Sequence, residues 1–127
     1  MTGRSQRLLN VALIAILACH AQAGAPPNVD DPAREISIRV VNRNRLDVMV
    51  YMEHDGMRTR LGLAIASTTT DFNLRLGVLG AGRDYRLVAH PIGMRIYVTT
   101  EMLHALAGDE VTWSIEDSFA RSTVIVH

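Results

Sequence analysis

The sequence predicts an all-β fold, an antiparallel β-sandwich of about seven to nine short strands, and three observations carry it. From residue 35 onward, apolar and polar residues alternate with period two over short runs, the pattern of strands that bury one face. Turn signals separate the runs at intervals of about ten residues, among them His54-Asp55-Gly56, residues 77–82 and Pro91-Ile92-Gly93. The single tryptophan, Trp113, is flanked at period two by Val111 and Ile115, the setting of an aromatic that packs in a sandwich core.

Taken in order, Ile36, Ile38 and Val40 share the buried face of the first strand, and Val48, Val50 and Met52 that of the second. The other face of the second carries Met49 and Tyr51 and is expected to be partly covered. Asp55-Gly56 readily takes the positive φ angles of a tight hairpin turn. The third strand, residues 57–64, puts Thr59, Leu61 and Leu63 inward with Arg58 and Arg60 outward. Residues 68–76 form a fourth that buries Phe72, Leu74 and Leu76. The glycines at 77, 80 and 82 have G-x-x-G-x-G spacing with no flanking strand-to-helix unit, so they read as a connection and not as a phosphate cradle. Tyr85, Leu87 and Ala89 define the fifth strand, and Ile96 with Val98 the sixth. Residues 100–107 are ambiguous. Thr100 and Gly108 would cap a short helix, whereas alternation of Met102, His104 and Leu106 permits a strand. Val111, Trp113 and Ile115 give the next strand, and residues 122–126 the last.

Ahead of this domain, Arg4 and Arg7 precede an apolar run from Leu8 to Ala18 with no acidic residue, which is the layout of an export signal. The run is well short of the roughly 20 residues that a permanent membrane helix needs. Two cleavages compete. Ile16-Leu17-Ala18-Cys19 is similar to a bacterial lipobox, in which the cysteine is lipidated and becomes the new N-terminus, so that residues 1–18 are removed. Ala21-Gln22-Ala23 is an A-x-A site that would remove residues 1–23 and release a soluble periplasmic form. A cysteine carrying more than one acyl chain would be stably anchored. Residues 24–34, which contain three of the four prolines, then read as a flexible tether, and residues 35–127 as the folded domain.

The 127-residue chain has a formal net charge of +0, and without Arg4 and Arg7 its 11 basic residues face 13 acidic ones. That argues against a nucleic-acid partner, which needs a clustered basic surface. All 13 basic residues are arginine. Recognition of carboxylate or phosphate by guanidinium forks is one reading, but their scattering through alternating segments points to compositional bias. With Cys19 the only cysteine, no disulfide can form within the chain, and stability must come from the apolar core.

Chemical motifs are sparse. No two of His20, His54, His90, His104 and His127 stand at H-x-H or H-x-x-x-H spacing, so a local zinc pair is lacking. His54-Asp55 could serve a metal or acid–base site but falls in a turn where solvated polar residues belong. His90 could meet His104 or Glu101 only through folding. The G-x-S-x-G elbow of a serine hydrolase does not occur. Asp109-Glu110 and Glu116-Asp117 are adjacent pairs, whose members point to opposite faces of a strand. Trp113, Tyr51, Tyr85 and Tyr97 would make a sugar-stacking platform if they faced outward together, and Tyr51 and Tyr97 are the candidates for ligand contact.

Val41-Asn42, Asp47-Val48-Met49-Val50-Tyr51, Gly56-Met57-Arg58-Thr59-Arg60-Leu61-Gly62, Arg86-Leu87-Val88-Ala89-His90-Pro91-Ile92-Gly93 and Gly108-Asp109-Glu110-Val111-Thr112-Trp113-Ser114-Ile115 together resemble small exported bacterial β-sandwich (Ig-like) proteins and lipoproteins of unknown function. The resemblance spans most of residues 36–116, implies the fold and an exported location, and brings no catalytic residue. The expectation is therefore a cell-envelope protein, lipid-anchored at Cys19 or periplasmic. It would act as a structural or binding module with no catalytic residue, cofactor or metal, and with an envelope protein or glycan as partner. The alternatives are a carbohydrate- or peptide-binding domain using an exposed aromatic face, or a small metal-binding protein or hydrolase built around His54, His90 and His104.

The anchoring expectation has a direct check. A radioactive fatty acid should label the wild-type protein during growth, and Cys19→Ser should abolish the label. An intact mass beginning at unmodified Gly24 would exclude lipidation.

Overall fold

A computed structural model of the chain describes residues 34–127. The expected signal segment, Cys19 and all but the last residue of the tether lie outside the described residues. Within them, nine strands form two sheets. One sheet has the order β4-β1-β8-β9, built from β1 (Glu35–Asn42), β4 (Thr68–Arg75), β8 (Glu110–Ile115) and β9 (Thr123–Val126). The other has the order β3-β2-β5-β6, from β2 (Val48–His54), β3 (Met57–Ala64), β5 (Asp84–Pro91) and β6 (Val98–Thr99), with β7 (Leu103–His104) pairing further along β5. The inward residues of both sheets make one core, in which Ile36, Ile38, Val40, Val48, Val50, Met52, Leu87, Ala89, Val111, Trp113 and Ile115 are all essentially inaccessible to solvent. Trp113 is thus a core residue, as its period-two flanks predict.

The β2–β3 hairpin turns through Asp55 and Gly56, both with positive φ (47° and 73°), as a two-residue turn matched to strand twist requires. Further along the hairpin the pairing slips between Val50 and Tyr51: Gly62 faces Val50, Arg60 faces Tyr51, and Leu61 between them is the extra residue of a β-bulge. A Cβ on Gly62 would lie 2.8 Å from the Phe72 ring, so glycine is needed for the close approach of β3 to β4. The bulge shifts the phase of β3. Leu63, expected inside, faces outward, and Ala64 takes the buried place.

Other expectations are also corrected. Not all pairs are antiparallel: β1 and β8 run parallel, Val40 facing Trp113. Leu76 is buried, but in a short 3₁₀ turn after β4 and not in the strand. Ile96 is exposed and precedes β6, because Ile92 to Tyr97 forms a loop that leaves only Val98 and Thr99 paired to β5. Residues 100–107 form no helix. The Thr100 backbone N–H donates to Leu87 O (3.0 Å), its hydroxyl accepts from Leu87 N (3.0 Å), and Ala105 N donates to Arg83 O (2.8 Å). These bonds stretch the segment along β5. Thr100, Leu103 and Ala105 are its buried residues, while Met102, His104 and Leu106 face out.

The crossing from the first sheet to the second is held by amides. Asn42, at the end of β1 and 1% exposed, donates through Nδ2 to Leu46 O (2.9 Å) and Ala64 O (3.0 Å) and accepts from Asn44 N (3.0 Å). Asn44 in turn donates to Glu116 O and Asp117 O beyond β8, and Asp47 accepts from Ala66 N (2.8 Å). The buried amides are therefore satisfied, as burial demands.

Among the described residues the exceptions are His54 Nδ1 and, deeper in the core, Tyr85. It points into the core, fully buried, and its hydroxyl has no hydrogen-bond partner among the described residues. Burial, with the nearby charge of Asp109 second, pushes its pKa up to about 12. An unfolded tyrosine ionises near 10, so the folded state loses stability relative to the unfolded state as pH rises from about 10 to about 12. Alkaline unfolding of Tyr85→Phe should lack this component. At neutral pH the variant should be as stable as wild type or more stable by about 1 kcal/mol, since an unpaired buried hydroxyl is removed. A clear loss of stability at neutral pH, in denaturant titration, would reveal a partner for the hydroxyl.

Candidate functional site

Outward positions of the second sheet come from the same alternation that fills the core. On β2, Met49, Tyr51 and Glu53 point away from it, between buried Val48, Val50, Met52 and His54. Pairing places Arg58 and Arg86 on either side of Glu53, and Arg60 and Val88 on either side of Tyr51. His90 lies opposite Met49, and Thr99 opposite Val88. Tyr97, two residues before Thr99, is 54% exposed.

Arg58 ties these rows together. Its guanidinium carbon stands 5.6 Å from the centre of the Tyr51 ring and 5.0 Å from that of Tyr97, within cation–π range of both. The Tyr97 ring also stacks with His90, centroids 4.8 Å apart and planes 25° from parallel. His90 Nε2 is 2.8 Å from Met94 O, which fixes the imidazole against the loop that carries Tyr97. Val88, though outward by alternation, is fully buried and lies apart from the core cluster. The outer face is thus covered by its own layer of aromatic and guanidinium groups.

Glu53 holds the arginines in place. Oε2 accepts from Arg58 Nη2 (3.0 Å) and Nε (3.3 Å), and Oε1 accepts from Arg86 Nε (3.0 Å) and Nη2. Hydrogen bonds from Arg86, then from Arg58, hold the Glu53 carboxyl below the usual carboxylate range. Both oxygens are occupied, while both terminal nitrogens of Arg60 have no acceptor among the described residues. Arg60 Nε reaches only Met49 Sδ (3.1 Å), a weak acceptor.

Of the sequence candidates, Tyr51 and Tyr97 come together on this face, whereas Trp113 and Tyr85 are inside the core. Arg58 bridges the two tyrosines, so they do not form a bare stacking platform. The histidines are dispersed. His54, expected in a solvated turn, is the last inward position of β2 and only 9% exposed, with Nδ1 3.7 Å from Asp55 Oδ2. His104 pairs with Asp84 (2.8 Å) at one end of β5. His90 lies six residues along that strand, about 20 Å away at 3.3 Å per residue. Among the described residues no three histidine, cysteine or carboxylate side chains gather as metal ligands, and no helix is long and apolar enough to cross a membrane. The residues missed from sequence are Arg58, Arg86 and Glu53. Their signal was the outward placement of Arg58 and Arg60, hidden by the use of arginine everywhere.

The carboxylate at the centre gives a measurable consequence. Glu53 should titrate below 4.5, and Arg86→Ala should raise its pKa more than Arg58→Ala does. Because the folded-state value is depressed, the stabilisation by Glu53 is present above the unfolded carboxylate's pKa and is lost as pH falls through the lower folded value. The stability gap between wild type and Glu53→Gln should close over that acid range, as followed by carbon-detected NMR and thermal unfolding. A Glu53 titrating at the ordinary value would dissolve the bridge.

No protein-family model and no curated relative matches the sequence. Among solved structures, the chain is similar to a protein from Eubacterium rectale determined by NMR, with 16% identity, a TM-score of 0.48 and coverage of 81% of this chain and 94% of that one. It is also similar to a Gram-negative toxin seen by crystallography, with 15% identity and a TM-score of 0.41, covering 74% of this chain and 23% of the toxin.

Proposed function

We propose that the protein is an exported, cell-envelope binding module, anchored through a lipid on Cys19, and that it recognises its partner with the outer face of the β3-β2-β5-β6 sheet. One observation carries this reading: Arg58 lies over the rings of both Tyr51 and Tyr97, giving an ordered aromatic and cationic surface. Tyrosine and arginine are the residue types that dominate binding energy at recognition surfaces. The reading contains no catalytic step, since His90 and His104 each engage a separate neighbour and no nucleophile stands beside a base at this face. Export and anchoring rest on the Arg4 to Cys19 pattern.

Envelope fragments of the producing organism should co-sediment the mature protein prepared without lipid. Arg58→Ala and Tyr97→Ala, both solvent-facing changes, should weaken that association at least tenfold while leaving thermal unfolding nearly unchanged. Equal sedimentation of wild type and both variants would place the binding surface elsewhere.

A further inference from the structure

We infer that the ligand of this face is an acidic polysaccharide, gripped through its carboxylate groups by Arg58 and Arg60; the inference rests on the binding role proposed above. Donor and acceptor supply decides the class. Around the aromatic pair, three guanidinium groups (Arg58, Arg60, Arg86) surround one carboxylate, and that carboxylate has both oxygens filled by Arg58 and Arg86. The face therefore offers donors and almost no acceptors. A ligand rich in acceptor oxygens and negative charge complements it. A peptide fits less well, because its backbone N–H groups would meet few acceptors here beyond the Tyr51, Tyr97 and Thr99 hydroxyls, and a peptide that adds to a sheet does so at an edge and not across the face.

Preorganisation favours the same ligand. The Arg58 guanidinium is already fixed by two rings and by Glu53, so little side-chain freedom remains to be lost on binding. The terminal nitrogens of Arg60 are left to form a charge-assisted, fork-like pair of bonds to carboxylate, and Arg58 adds its positive charge beside them. Arg58 and Arg60 are two residues apart on one face of β3, about 7 Å along the strand, so successive acidic units of one chain can reach them in turn. Stacking of nucleic-acid bases finds poor footing, since the Tyr97 ring is already stacked by His90 and approached by Arg58.

The test compares polygalacturonate with the same polymer fully methyl-esterified, by calorimetry on the mature protein. Binding to the acid form should be weakened at least tenfold by esterification, by Arg60→Gln, and by raising NaCl from about 50 to about 500 mM, where screening is strong. Arg60 is exposed and outside the Glu53 bridge, so its variant should keep wild-type thermal stability, and Arg60→Lys should restore part of the affinity. Equal binding of both polymers, lost in Tyr97→Ala, would overturn the acidic class yet leave the face as a binding site. Binding of polyglutamate or a DNA oligomer in place of polygalacturonate, with the same dependence on Arg60, would overturn the polysaccharide. Binding unaffected by Arg58→Ala, Arg60→Gln and Tyr97→Ala alike would overturn both the inference and the reading it rests on.

Discussion

The buried amide of Asn42 is the constraint from which the rest of the sandwich is arranged. It ends β1 on the first sheet, and its two N–H donors reach Leu46 O, on the way into β2, and Ala64 O, at the end of β3. One side chain thus joins the ends of three strands from both sheets. Asn44 extends the join to the end of β8 through Glu116 O and Asp117 O. A hydrophobic residue of similar size could fill the volume but would leave these carbonyls without a donor, which is costly away from water. Fixing the last residues of β1, β3 and β8 fixes the register of β2, and a one-residue slip there would send Val48, Val50 and Met52 to solvent and Tyr51 and Glu53 into the core.

Stability is carried by the inner faces of the sheets, and the recognition proposed above by an outer one. Burying a valine- or isoleucine-sized side chain is worth about 1.5–3 kcal/mol, and the core has more than a dozen such residues, with Trp113 and Met52 among them. An exposed cation–π contact contributes about 0.5–1 kcal/mol, and exposed ion pairs little. The Arg58–Tyr51–Tyr97 layer therefore does not hold the sheets together. What it does is order long side chains that would otherwise be mobile, above a Val88 already sealed from water.

Much of the fold was legible because burial of one face imposes period two, and Ile36, Val50, Leu87 and Trp113 obey it. Legibility ended where the period breaks or where partners are distant in sequence. Leu61 is the extra residue of a bulge beside Gly62, so Leu63 and Ala64 exchange sides, and only the approach of Phe72 to Gly62 shows why a glycine stands there. Parallel and antiparallel strands alternate identically, so the β1–β8 direction left no local trace. The extended path of residues 100–107 depends on bonds to Arg83 and Leu87 that no helix propensity registers. The neighbours Asp55 and Gly56 point His54 to solvent, although two-residue counting from Met52 puts it inside, where it lies. For the site, alternation alone turned Tyr51 and Tyr97 outward. That they share a cation could not be read, since it needs β3, β2, β5 and β6 side by side.

Composition and geometry answer different questions about the arginines. Every basic residue in the chain is arginine, so the identity at position 58 says nothing by itself. Its surroundings do. A lysine there would keep the charge opposite Glu53, but its compact ammonium could not lie flat against two tyrosine rings while donating from two nitrogens to one carboxylate oxygen, as Arg58 does. The planar fork is what lets one residue on edge strand β3 span the sheet to the loop before β6. A bias that supplies arginine at every basic position has, at this one, supplied the only side chain that can make the layer.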